Sequence, residues 1–173
     1  MSPTLHRTAL AAALVLPATL LSGCSLVQGG ASCEGSGPAR EALAAQPVLS
    51  SPPDGATDPA NYRGVGVSTG CDDDSPGPAW VHADRLYTFP GSRRAVVDHY
   101  ARVAAAQGWR RDTASRADAA CWTRTADDRH LVLAVDFQLG GWTPAPELGN
   151  GIGYEVAVGS NADGGDHGEG CAD

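Results

Sequence analysis

Between residues 131 and 139 apolar side chains fall on every second position: Leu131, Leu133, Val135, Phe137 and Leu139, with Asp136 and Gln138 among the residues between them. Ile152, Tyr154, Val156 and Val158 repeat the pattern, separated by Gly153, Glu155 and Ala157. Side chains on a strand alternate between two faces, so each segment predicts a strand with one apolar and one more polar face. Residues 119–125 predict a further strand, joined to the next through the turn-like Ala126-Asp127-Asp128-Arg129. Upstream, Tyr62–Cys71 places Val65, Val67, Thr69 and Cys71 on one face, and Ala79–Phe89 carries large residues on both.

The period changes in Ser92–Trp109. Val96, Tyr100 and Val103 recur at helical spacing, and Val97 and Ala104 widen the stripe. Ser92 suits an N-cap, Gly108 suits a left-handed C-terminal residue, and Trp109 can pack back on Val103 or Ala104. A shorter helix is predicted over 38–46, opened by Pro38 and stopped by Pro47. The expected fold is α+β: an antiparallel sheet of four to five strands, covered on one face by one main helix at about 92–107. Residues 61–160 form that domain, long enough to bury a core. Residues 161–173 are an acidic, Gly-rich tail.

The N-terminus reads differently. A short segment with His6 and Arg7 is followed by an apolar run, Ala9–Leu21, that is interrupted by Pro17 and Thr19 and leads to Ser22 and Gly23. A membrane-spanning helix needs about 20 apolar residues, so the run is too short to span and has the layout of a secretory signal. Leu21-Ser22-Gly23-Cys24 resembles the lipobox of bacterial lipoproteins. The resemblance is confined to the first 24 residues. It implies cleavage after residue 23, lipidation of Cys24, and attachment to the extracytoplasmic face of the cell membrane through fatty chains. Each buried methylene of such chains contributes roughly 0.8 kcal/mol. Residues 24–60 then hold the lipidated N-terminus, a Gly/Ser-rich tether and the short helix.

Composition narrows the partners. All 12 basic residues are arginine, against 20 acidic ones, and removing residues 1–23 takes one arginine and no acid. That balance argues against nucleic acid, whose phosphates are held by clustered basic side chains. The lysine-free, Ala- and Gly-rich chain resembles small actinobacterial lipoproteins, a likeness that implies no activity. With Cys24 lipidated, Cys33, Cys71, Cys121 and Cys171 remain, an even set that predicts two disulfides in an oxidising compartment. They are too widely spaced for an ordinary zinc site. Three pairings are possible. Cys33–Cys71 with Cys121–Cys171 is favoured, because it ties weakly structured ends to strands.

Candidate chemistry is sparse. Gly66-Val67-Ser68-Thr69-Gly70 matches the nucleophile-elbow pattern of serine hydrolases, which requires a strand, a sharp turn and a helix. Here Cys71, three aspartates and Pro76-Gly77-Pro78 follow, with no helical pattern. Asp72-Asp73-Asp74 lacks the ligand spacing of a calcium loop, and Asp163, Asp166, His167 and Glu169 lie in a tail that would be costly to order. His82 near Asp84, His99 and His130 are candidate bases with no third member fixed by spacing. Of the tryptophans, Trp80, Trp109 and Trp122 read as core, whereas Trp142 in a Pro/Gly-rich loop is the candidate contact with a partner. No cofactor, metal site or catalytic set is expected. The leading expectation is a non-catalytic, lipid-anchored binding or accessory module whose partner is an envelope protein or small ligand. The alternatives are a small envelope hydrolase using Ser68 or a His/Asp site, and a purely structural lipoprotein.

Overall fold

The computed structural model describes residues 32–73, 77–112 and 119–167. In chain order they form α1 (Gly37–Ala44), β1 (Ser68–Asp72), β2 (Trp80–Phe89), α2 (Arg93–Ala106), β3 (Arg110–Arg111), β4 (Ala119–Ala126), β5 (Arg129–Asp136) and β6 (Ile152–Asn161), with short 3-10 turns at Pro47–Ser50 and Ala60–Tyr62. The strands make one sheet in the order β1-β2-β6-β5-β4-β3, and every neighbouring pair is antiparallel.

The fold is α+β as expected, but the sheet has six strands rather than four to five. The added strand is β3, which pairs Arg110 with Thr123 and Arg111 with Trp122. Two arginines carry no readable alternation, so only the pairing reveals them. A second difference lies before the sheet. Leu43 of α1, and Val48 and Leu49 of the turn after it, are buried in the same core as the strands.

The covered face follows from strand parity. Val81, Ala83 and Tyr87 of β2, Tyr154, Val156 and Val158 of β6, Leu131, Leu133 and Val135 of β5, and Ala120 and Trp122 of β4 point to one side. Val96, Tyr100 and Ala104 of α2 close over them. Full burial of each such aliphatic side chain contributes roughly 1.5–3 kcal/mol. Ser92 caps α2 by accepting from the Ala95 amide at 3.2 Å. Gly108, at φ +81°, ends the helix and returns Trp109 onto it, the Trp109 amide donating to Ala104 O. Asp127 and Asp128 both take positive φ, the mirror-image turn that suits the twist of the β4–β5 hairpin. Tyr87 donates to Leu49 O at 2.7 Å, tying the early segment to the sheet, and burial pushes its phenol up to about 12.

Cys33 and Cys71 form a disulfide, which fastens the approach to α1 onto β1. Cys121 is also disulfide-bonded. Cys171 and Cys24 lie outside the described residues, as do Asp74 and Glu169.

Candidate functional site

The other face of the sheet is the polar one. Cross-strand partners share a face, so the register Ser68–Asp84–Ala157–Ala134 and the adjacent row Gly70–His82–Gly159 place Ser68, His82 and Asp84 together on the side away from the helices. His82 and Asp84 are two residues apart on β2, and Nδ1 of the imidazole lies 2.8 Å from Oδ1 of Asp84. Asp84 is only 5% exposed. On the ring's other side Nε2 faces Asp72 Oδ2 at 3.6 Å. Gly70, opposite His82, makes the geometry possible, because a Cβ there would collide with the imidazole. The hydrogen bond to Asp84 raises the His82 pKa; burial opposes it, and the charges of Asp84, Asp72 and Glu155 add to it.

Glu155 enters from β6, opposite Leu86 of β2 and Asp136 of β5. Its carboxylate Oε2 accepts the indole N–H of Trp142 at 2.6 Å. Burial raises the Glu155 pKa; the Trp142 bond opposes this, while Asp84 and Asp136 reinforce it and His82 acts against it. Trp142 is held from behind as well, its ring edge-on to Tyr62 with centroids 5.4 Å apart. Tyr62 donates to Pro144 O at 2.6 Å, and Asn61 bonds both Ala145 O and the Glu147 amide. The loop after β5 is therefore stitched to residues 61–62, and its tryptophan stands over the sheet.

Between that loop and β1 runs an open groove of about 400 Å³, lined by Ser68, Thr69, His82, Asp84, Trp142 and Glu155 among others. Its inventory is hydroxyls, carboxylates, one imidazole and one indole, which suits recognition of a polar ligand by hydrogen bonds, charge and an aromatic wall. It suits acyl transfer less well. Ser68 starts a strand instead of sitting at a strand-to-helix turn, and among the described residues no hydrogen bond joins it to His82. Among the described residues no group of three His, Cys, Asp or Glu side chains is arranged to hold a metal ion.

The remaining candidates are placed elsewhere. His99 is half-buried beside Tyr100, with Nε2 2.8 Å from Ser51 O, so it ties α2 to the early segment. His130 Nδ1 lies 3.7 Å from Asp166, and His167 bonds Asp163 on the surface at 2.8 Å. Trp109 and Trp122 are core residues. Trp80, expected in the core, instead lies half-buried on the open face, its ring across Gly159. Reading from sequence missed Glu155 as a site residue, although its place between Tyr154 and Val156 marked it as facing away from the core.

The fold and groove together define a disulfide-bonded α+β domain with one helix-covered sheet face and a polar groove on the other. No protein-family model matches the chain, and no curated protein or solved structure is significantly similar to it.

Proposed function

We propose that the chain is a lipid-anchored, extracytoplasmic binding module of the cell envelope, non-catalytic, whose ligand occupies the groove between Trp142 and His82. The anchoring half of this reading rests on Leu21-Ser22-Gly23-Cys24 and on cysteines that pair in an oxidising compartment. The binding half is carried by one observation: the groove is open and polar, and His82 Nε2 faces a carboxylate at 3.6 Å where acyl transfer would need a hydroxyl.

Two experiments test the halves separately. Cys24→Ser should release the protein from the membrane fraction and remove the acyl mass from the mature N-terminus; unchanged mass and partitioning would refute the anchor. A photo-cross-linker at exposed Thr143, on the groove, should capture a ligand in intact cells that the same group at exposed Ala106, on α2, does not. Equal labelling from both positions would remove the groove as the binding site.

A hydrolase is the second reading, favoured by the 2.8 Å contact between His82 and a buried Asp84, which orients Nε2 to take a proton from water. It requires hydrolysis of small esters or amides that His82→Asn abolishes and Ser68→Ala leaves intact.

A further inference from the structure

Among the described residues that line the groove, two carboxylates, Asp84 and Glu155, face one imidazole, His82. Among the described residues Glu155 accepts a hydrogen bond from the Trp142 N–H alone, and no arginine is within ion-pair distance of it. The arginines on neighbouring strands are engaged elsewhere: Arg85 pairs with Asp58 at 3.2 Å on the covered side, and Arg129 donates to Asn161 O at 2.8 Å. Asp84 is the second observation. It is 5% exposed and lines the groove, yet only Oδ1 is engaged, by His82, and no described group donates to its other oxygen. His82 compensates Asp84 directly at 2.8 Å, and the second Asp84 oxygen, which is not buried from solvent, is left to meet a ligand in the groove.

We infer that the groove takes a cationic organic group, an ammonium or guanidinium carried by the ligand, held between Glu155 and Asp84 against the indole of Trp142. This rests on the groove being the ligand site. A carboxylate pair beside an aromatic wall combines charge-assisted hydrogen bonds with cation–π attraction. The volume of about 400 Å³ accommodates a substituted amine with its attached chain or ring. The hydroxyls of Ser68 and Thr143 can bond what the cation is attached to. A basic peptide side chain and an amino sugar share this chemistry.

The test is titration of the full chain in detergent at low ionic strength, following the indole N–H resonance of Trp142, assigned by its loss in Trp142→Phe. The probes are Nα-acetyl-lysine methylamide, Nα-acetyl-arginine methylamide, glucosamine and, as the neutral control, N-acetylglucosamine. The cationic probes should shift the resonance and the control should not. Glu155→Gln, which keeps an oxygen to accept the indole N–H, should weaken cation affinity about tenfold, the value of a charge-assisted bond. Asp84→Asn is the second variant, with the same expectation. Tighter binding of the lysine and arginine probes identifies a peptide source, and tighter binding of glucosamine an amino sugar; either supports the inference. A shift by N-acetylglucosamine that matches glucosamine and ignores Glu155→Gln would overturn the cation while leaving the groove as a ligand site. Silence of Trp142 to every probe would overturn the inference and count against the groove as well.

Discussion

Trp142 and Glu155 are joined across the groove by a 2.6 Å bond from indole N–H to carboxylate, which fastens the loop after β5 to the polar face of β6. Trp142→Phe keeps an aromatic ring against Tyr62 but removes the indole N–H that donates to Glu155. Hydrogen bonds to charged groups are worth about 1.5–3 kcal/mol. Partial exposure discounts this, so a loss of about 1 kcal/mol is expected in urea denaturation, together with a further rise in the Glu155 pKa. An unchanged unfolding midpoint would show that Asn61 and Tyr62 hold the loop unaided.

Gly70 is expected to act through His82 more than through stability. In Gly70→Ala the new Cβ would meet the imidazole, and the ring, as the end of a movable side chain, turns away from Asp84. Its pKa should then fall toward the ordinary histidine value of 6.5. An NMR titration of the His82 Cε1 proton measures this directly. An unaltered titration in the variant would mean that backbone adjustment, not ring rotation, absorbs the clash.

The fold was legible where its signals are local. Ser92, Gly108 and the stripe from Val96 to Ala104 marked α2, and alternation marked β5 and β6. Trp80 was misplaced because β2 carries large residues on both faces, so period alone could not say which side meets the core. The site was half legible. His82 with Asp84 and the loop position of Trp142 stood out singly, but Glu155 joins them only through the β2–β6 register, which pairs residues some seventy positions apart. Side-chain spacing along a strand gives the face of a residue and says nothing of its lateral neighbours.

Two groups on the open face make stability depend on pH in the same direction. His82 and Glu155 both have folded-state pKa values above their ordinary values of 6.5 and 4.5. Each therefore binds its proton more tightly when folded. A raised pKa contributes stability that is full below the unfolded value and is lost as pH rises through the folded one. The thermal midpoint should thus decline above about pH 4.5 through Glu155 and again above 6.5 through His82. In Glu155→Gln the first decline should shrink, and in His82→Gln the second. Calorimetry at stepped pH checks both.

The Cys33–Cys71 bridge spans 38 positions, and the loop it closes contains Leu43, Val48 and Leu49, all buried in the core. In the loop-entropy treatment a closure of this length stabilises the folded state by about 4 kcal/mol. In the folded chain the same segment is also held by Tyr87 on Leu49 O and by His99 on Ser51 O. Both contacts form only in the folded chain, so they do not shorten the unfolded loop. Replacing both cysteines by alanine should therefore lower unfolding free energy by about 2–4 kcal/mol. It should also expose residues 33–60 to limited proteolysis before the sheet is cut. A cost below about 1 kcal/mol would place the discrepancy in the unfolded state, where residual contacts between the early segment and β2 would have to hold the loop nearly closed without the bridge.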